Sequence, residues 1–90
     1  MTRKEKREAK WAQLPLWHRN LCKRLYALRV AVGTQTKVGK MLVDGGYPIH
    51  QSNLSRYEMG DQIPELPNLY LLADFYGVSL HDLTDPYLTE

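Results

Sequence analysis

The stretch that decides the fold of this chain is Gln51-Ser52-Asn53-Leu54-Ser55-Arg56-Tyr57-Glu58-Met59-Gly60. At 100° per residue, Leu54, Tyr57 and Glu58 fall on one side of a helix. Ser52 and Arg56 fall on the opposite side. Arg, Gln, Asn and Ser side chains match base edges and phosphates in a DNA groove. The helix therefore suits DNA reading, although an ordinary amphipathic surface helix has the same pattern and the surrounding sequence must decide.

Size and composition exclude several classes of protein. Ninety residues make one small domain with a modest core and little room for a cleft enzyme. The single Cys22 cannot form an internal disulfide, which fits a reducing compartment, and we expect a semi-buried thiol. No apolar run reaches the length of a membrane span, and the charged N-terminus lacks the apolar core of a secretory signal. We therefore expect a cytoplasmic protein.

The charges are unevenly placed. Residues 1–40 hold eleven Lys/Arg and two acids, a balance of +9, whereas residues 41–90 hold one Arg and eight acids, a balance of −7. Such asymmetry favours a polyanionic partner at one part of the molecule. A solvated basic tail is the alternative, since five of the basic residues lie in the first ten.

Apolar spacing predicts an all-α domain with about five short helices and no useful strand pattern. The predicted helices are His18–Val32, about Gln35–Val43, Gln51–Met59, a fourth with Pro67 in its first turn, and a short fifth capped by Ser79. In the second, Val38, Met41 and Leu42 should face inward. Gly39 costs about 1 kcal/mol relative to alanine in a helix, so its presence suggests that another helix packs very close.

The chain divides into a basic N-terminal arm at 1–17, a domain at 18–85 and a tail at 86–90. The first ten residues lack a core face and fit either a frayed helix or a flexible arm. We expect the following apolar residues to pin the arm to the domain or to a second subunit; they are Trp11, Leu14, Leu16 and Trp17.

Two helices joined by a glycine-containing break, the second presenting polar residues, form the helix-turn-helix arrangement. The residues that carry a family resemblance are Thr34-Gln35, the segment Ser55-Arg56-Tyr57-Glu58-Met59-Gly60, and then Pro64, Leu66, Leu69, Leu72-Ala73, Tyr76-Gly77-Val78-Ser79-Leu80 and Leu83. In this pattern the chain resembles the Cro/repressor (Xre-type) family over roughly residues 20–84. The resemblance implies a five-helix repressor-like domain.

The chain departs from the family pattern at several places. Thr34 and Glu58 are about five residues further apart than usual, and the extra residues fall around Asp44–Pro48. Gly39 replaces the usual alanine. The loop after the third helix, often basic in phage repressors, is acidic here, and the basic arm can substitute for its phosphate contacts.

The resemblance implies that residues at the start of the third helix, and one a turn later, read bases. These are Gln51, Ser52 and Arg56 here. Arg56 can pair bidentately with guanine and Gln51 with adenine. A surface ion pair is the alternative for Arg56.

Thr34 and Gln35 form the expected phosphate contact at a helix N-terminus, with a simple helix cap as the alternative. The remaining candidates for the DNA backbone are Lys37, Lys40, His50, Asn53, Ser55, Arg3, Lys4, Lys6 and Arg7. By resemblance, Arg29 and Glu58 form a partly buried ion pair that is structural.

Catalysis is not expected. The sequence holds no nucleophile elbow, phosphate loop or metal-ligand cluster, and no cofactor or metal is implied. His18, His50 and His81 should be solvent-facing or capping residues.

The sequence therefore predicts a sequence-specific DNA-binding regulator, a repressor of a phage, plasmid or mobile element. We expect a homodimer on double-stranded operator DNA, with dimer candidates Trp11, Trp17, Tyr87 and Leu88. The rival reading is a protein-binding module, such as an antitoxin, anti-repressor or adaptor, which the acidic second half and the long segment before the third helix favour.

Overall fold

The computed structural model describes residues 1–85, which form six α-helices and no β-strand. The helices are α1 (Arg3–Ala12), α2 (Leu16–Val32), α3 (Gln35–Asp44), α4 (Gln51–Met59), α5 (Leu66–Tyr76) and α6 (Leu80–Thr84). The predicted all-α class is confirmed. The predicted count of five is wrong, because the charged N-terminal segment adds a helix.

Helix α1 owes its start to a capping box. The Glu5 backbone N–H donates to the Thr2 hydroxyl at 3.1 Å, and the Thr2 N–H donates to the Glu5 carboxylate at 3.2 Å. At the other end of the helix Trp11 is buried. Trp11 therefore holds the helix to the domain, which is one of the two alternatives expected for the apolar residues after position 10.

The other helix boundaries lie close to the predicted ones. Helix α2 begins two residues earlier than expected, because Pro15 caps it and its fixed φ suits a helix start. Helix α3 runs one residue longer, and α4 has the predicted bounds.

Two side chains of the interior differ from expectation. Met41 was expected inward but is 40% exposed. Val38 and Leu42 define the buried stripe of α3, and Met41 points about 80° away from its centre at 100° per residue. Cys22, expected to be semi-buried, is completely buried, since α2 packs against four other helices.

A single apolar core contains residues from each of the helices α2, α3, α4, α5 and α6. Its buried members are Leu21, Leu25, Val38, Leu42, Ile49, Leu54, Tyr57, Leu72, Ala73 and Leu83. Helix α4 packs against both α2 and α3, so its inner face lies at the centre of the domain.

The lengthened segment between α3 and α4 is packed against α5. Tyr47 meets Phe75 edge to face, with ring centroids 5.5 Å apart, and its hydroxyl donates to Asp74 Oδ2 at 2.9 Å. Ile49 enters the core completely. The extra residues therefore leave the packing of α3 against α4 intact.

Arg24 connects α2 to α6 at a site that the sequence did not predict. Its guanidinium is buried, and it donates to the carbonyls of Leu83 (3.0 Å) and Asp85. Cations are favoured at the C-terminal end of a helix, where carbonyls lack partners. Within residues 1–85, no helix has the length and apolar content needed to span a membrane.

Candidate nucleic-acid interface

The two faces of α4 differ in burial as the periodicity predicted. Leu54, Tyr57 and Glu58 are each 2% exposed, whereas Ser52 and Arg56 are exposed to solvent. Leu54 and Tyr57 belong to the core, so burying one face fixes which polar side chains point outward. The outward set comprises Gln51, Ser52 and Arg56, with Asn53 and Ser55 half-buried beside them.

The start of α4 is defined by a cap and by a contact with α3. His50 occupies the N-cap position, and its backbone N–H donates to Asn53 Oδ1 at 3.0 Å. Gln51 Nε2 donates to Thr36 Oγ1 at 3.3 Å. The side-chain oxygen of Asn53 is therefore engaged in capping. The side-chain amide of Gln51 is held at the surface by α3.

Gly39 permits the close approach of α3 to α4. A Cβ atom built there would lie 2.8 Å from the Cβ of Gln51, which is shorter than side chains tolerate. The expectation that another helix packs very close to this glycine is confirmed. An alanine at this position would push the first residue of α4 away from α3.

The start of α3 presents a capped N-terminus next to α4. Thr34 Oγ1 accepts from the Lys37 N–H at 3.2 Å, as expected of an N-cap. Gln35 Nε2 lies 3.4 Å from Glu58 Oε1 and donates to it. On the exposed side of α3, Lys40 Nζ lies 2.8 Å from Asp44 Oδ2, which lowers the net charge available there.

Arg29 and Glu58 form an ion pair beneath the surface. Arg29 Nη2 lies 2.8 Å from Glu58 Oε1, and Arg29 Nε contacts both carboxylate oxygens at 3.1–3.2 Å. Their side chains are 11% and 3% exposed. Hydrogen bonding to Glu58 raises the pKa of Arg29 above its ordinary value. The pair joins α2 to α4 and fixes the rotation of α4 about its axis.

Helix α1 is docked against the C-terminal end of α4. Trp11 Nε1 donates to the Glu58 carbonyl at 2.7 Å, and Lys10 pairs with Asp61 in the loop that follows α4. The Leu14 side chain packs on Gly60, which adopts φ +82° at the end of α4. Arg19 reinforces the turn after α1 by donating to the carbonyls of Trp11 and Leu14 at 3.0 and 3.1 Å.

The sequence led us to expect that Trp11 and Leu14 pin the arm to the domain or to a second subunit, and the structure shows the first of these alternatives. The helical order of the arm was left open, although one signal for it was present. The Thr2–Glu5 spacing matches a capping box, which predicts an ordered helix rather than a flexible arm. The contacts that hold α1 against the end of α4 join residues 46 to 51 positions apart and have no local signature.

A polar cleft of about 650 Å³ lies between α1, α3 and α4. It is lined by Arg3, Lys6, Arg7, Arg29, Thr34, Gln35, Thr36, Gln51, Ser55, Glu58 and Met59. Four of these side chains are cationic and one is anionic, so the cleft is positive. The anion, Glu58, is already paired with Arg29.

The cleft brings together seven of the residues predicted to contact DNA, in addition to the predicted ion pair of Arg29 and Glu58. They are Arg3, Lys6, Arg7, Thr34, Gln35, Gln51 and Ser55. The guanidinium of Arg7 lies 3.9 Å from the ring centre of Tyr26, so this residue also packs α1 against α2. The other residues predicted to contact DNA do not line the cleft; they are Lys4, Lys37, Lys40, His50, Ser52, Asn53 and Arg56.

One histidine and one tryptophan differ from expectation, whereas His50 caps α4 and His81 is exposed, as expected. His18 is buried rather than solvent-facing; its ring stacks on Trp17 with ring centroids 5.2 Å apart, and burial lowers its pKa. Trp11 is a buried contact within the chain rather than an exposed dimer candidate. His81 is exposed near Asp85. Among residues 1–85, no group of His, Cys, Asp or Glu side chains is placed to hold a metal.

Comparison with known proteins gives one match. Residues 25–83, about two thirds of the chain, match the helix-turn-helix family model, and this range contains α3, α4 and the segment between them. No curated protein and no solved structure matches the chain. The matched range begins within α2 and leaves out α1.

Proposed function

This chain belongs to the Cro/C1-type, Xre-like helix-turn-helix family, whose domain binds DNA and is typically not enzymatic, and we propose that it is a sequence-specific transcriptional regulator. The observation that carries the proposal is the division of α4 into a buried face and an exposed face of Gln51, Ser52 and Arg56. A helix held in this way suits insertion into the major groove. We propose that it represses genes of a phage, plasmid or other mobile element in the cytoplasm.

Arg56 is proposed as the main base-reading residue. A guanidinium donates two parallel hydrogen bonds to guanine O6 and N7, a pairing worth roughly 1–3 kcal/mol of discrimination. Its side chain is exposed, and none of the ion pairs within residues 1–85 includes it. Gln51 is proposed to pair with adenine, a role that its hydrogen bond to Thr36 supports by orienting the amide. Ser52 is proposed as the third base contact.

Phosphate contacts are proposed at the two helix starts. Free N–H groups at a helix N-terminus favour anions, and Thr34 and Gln35 add side-chain donors at the start of α3. The supporting contacts proposed for the DNA backbone are Lys37, Lys40, His50, Asn53, Ser55, Arg3, Lys4, Lys6 and Arg7. Lys40 should contribute least of the lysines, since Asp44 already pairs with it.

A homodimer on a two-fold operator is proposed because one short helix reads only a few base pairs. Leu16 and Trp17 are 60% and 47% exposed at the start of α2, and they are adjacent in the chain. They are the described residues that we nominate for the interface. Tyr87 and Leu88, the other nominated residues, lie outside residues 1–85.

Selection of bound sequences from a random DNA pool tests this function directly. An enriched, two-fold related motif is expected, and the spacing of its halves reports the geometry of the dimer. Binding of the recovered duplex and of a scrambled duplex should then be compared over a salt series. No preference for the recovered duplex, together with a negligible salt slope, would defeat the proposal.

The readout role of Arg56 is tested by Arg56→Ala on the same two duplexes. Specific binding should weaken about ten- to hundredfold, as expected from the loss of a bidentate base contact, whereas binding to the scrambled duplex should change little. Ser52→Ala is a suitable companion on the same face. Equal losses on both duplexes would reassign Arg56 to the DNA backbone.

A protein-binding module is the second candidate function, and one observation favours it. Ile63, Leu66 and Tyr70 are 48–58% exposed near the start of α5, beside the acidic residues Asp61 and Glu65. Exposed apolar side chains rimmed by charge suit contact with another protein. This candidate predicts that Leu66→Ser with Tyr70→Ser leaves DNA binding unchanged and abolishes association with a partner protein.

A further inference from the structure

The cleft between α1, α3 and α4 contains positive charge that the domain does not neutralise. Within residues 1–85, Arg3 and Lys6 make no ion pair with a carboxylate and no hydrogen bond to another side chain. Other cations of the region do have such partners: Lys10 pairs with Asp61, Lys40 with Asp44 and Arg29 with Glu58. Two unpaired cations on one wall of a cleft favour an anionic occupant.

Other donors reach the same cleft. Thr34, Gln35 and Thr36, at the start of α3, line it together with Ser55 of α4. Amide and hydroxyl groups beside two cations form the donor set that protein structures use for phosphate oxygens. The cleft also adjoins Gln51, at the exposed start of α4, so its occupant would lie next to a base-reading residue.

Helix α1 keeps these cations in place. In its last turn, Trp11 donates a hydrogen bond to the Glu58 carbonyl, and in its middle the Arg7 guanidinium packs on the Tyr26 ring. The Thr2–Glu5 capping box stabilises its first turn. The spacing of Arg3, Lys6, Arg7 and Lys10 places all four on one side of the helix. The cations are therefore presented from an ordered helix, which reduces the conformational entropy lost when they bind.

We propose that Arg3 and Lys6 of α1, with Gln35 of α3, form a binding site for a single DNA backbone phosphate next to the reading end of α4. This site rests on the proposed DNA-binding function and adds a docked helix outside the matched family range to the interface. Lys4, which lies on α1 but does not line the cleft, takes no part in it.

The experiment measures binding of the full chain to its selected duplex from 50 to 300 mM KCl. Arg3→Gln/Lys6→Gln is compared with Lys23→Glu, which changes the net charge by the same two units at an exposed position outside the cleft and outside the proposed DNA contacts. The cleft variant should bind about tenfold more weakly at 0.1 M salt than the control variant, with a salt slope smaller by about 0.9. Circular dichroism should show the same helix content for both variants.

A second measurement locates the phosphate. Each phosphate of the duplex is replaced in turn by a neutral methylphosphonate. At one position per half-site, the neutral replacement should weaken binding of the wild-type chain. At the same position it should not further weaken binding of the cleft variant or of Gln35→Ala, because each of them already lacks a contact to that phosphate. We call a position silent for a variant when neutralising its phosphate does not further weaken binding of that variant. A position that is silent for both variants identifies one phosphate that both sites contact.

Two outcomes separate the failure of this site from the failure of the function. Preferred binding to the selected duplex, with equal slopes for the cleft and control variants, overturns the phosphate site and leaves the regulator intact. Absence of salt-dependent binding by the wild-type chain to any duplex overturns both. Different silent positions for Gln35→Ala and the cleft variant overturn the single shared phosphate.

Discussion

The two ends of α4 are held in different ways. At its start, the contacts are a hydrogen bond from Gln51 to Thr36, the close approach at Gly39 and a cap at His50, and the outward side chains stay exposed. At its end, Glu58 is buried in an ion pair, and Trp11 and Leu14 cover the last turn. The comparison suggests that stability is concentrated at the C-terminal end, which leaves the N-terminal end available for recognition.

Removing Glu58 should have the largest effect on this arrangement. Glu58→Ala leaves Arg29 nearly buried without its counter-charge, and losing one partner of a buried pair costs roughly 3–5 kcal/mol. We expect urea denaturation to show a loss of that size before sequence preference changes. Replacing both partners, as Arg29→Met with Glu58→Leu, should recover part of it. Wild-type stability of Glu58→Ala would show that the pair does not hold α4.

Gly60→Ala tests the contact of α1 with the end of α4. A side chain at φ +82° costs roughly 1–2 kcal/mol, and its Cβ would also lie 2.5 Å from a Leu14 methyl group. Overpacking adds roughly 1–3 kcal/mol. Gly77→Ala is the matched control, with φ +73° and no atom within 4 Å of an added Cβ. Equal losses of unfolding free energy in the two variants would mean that Leu14 moves freely away from α4.

The pKa of the buried Cys22 thiol depends on the packing beneath the same end of α4. Burial, reinforced by Asp61 and Glu58, raises the pKa of its thiol from 9.0 to about 11. The folded chain therefore retains a proton that the unfolded chain releases. The contribution of the protonated thiol to the free energy of unfolding is fully present below pH 9. Roughly 2–3 kcal/mol of that free energy is lost as the pH rises from 9 to 11. Cys22→Ala should flatten that part of the stability–pH curve, and an unchanged curve would contradict the expectation.

Trp11→Phe should have a smaller effect, because the ring is retained and only the indole N–H is lost. The Glu58 carbonyl then loses its donor from α1, which costs roughly 1–2 kcal/mol. Relative to the wild type, amide hydrogen exchange should accelerate more in α1 than in α5. Trp17→Phe, at an exposed position, is the control and should change little. Similar exchange rates in the two variants would show that Trp11 does not anchor α1.

Arg56→Ala should have the smallest effect on stability. Its side chain is exposed on the outward face of α4, and substitutions at such positions usually change stability by less than about 0.5 kcal/mol. Thermal unfolding should therefore match that of the wild type, even where DNA binding is impaired. A lower melting temperature would show that the outward face also holds the helix.

Most of α4 could be predicted from the sequence because its determinants are local. The apolar spacing of Leu54 and Tyr57 and the glycine stop at Gly60 depend on residues within a few turns of one another. The core stripe of α5 is predictable for the same reason. Met41 was misplaced because a helical stripe has a width that spacing alone does not define.

The role of α1 could not be predicted in the same way. Its contacts join Trp11 to Glu58, Lys10 to Asp61 and Leu14 to Gly60, across 46 to 51 positions of the chain. Charge patterning marked residues 1–10 as basic and left open whether they were ordered. The buried histidine, His18, likewise depends on how α2 packs and carries no signal of its own.

The sequence by itself determined helices α2 to α6 and which side chains of α4 face outward, because propensity, periodicity and capping act between neighbouring residues. Tertiary structure alone decided that the basic N-terminal helix lies along α4 and that Arg3 and Lys6 share a cleft with Gln35. Those contacts depend on packing between distant segments, which buries apolar surface wherever shapes and hydrogen-bonding groups match.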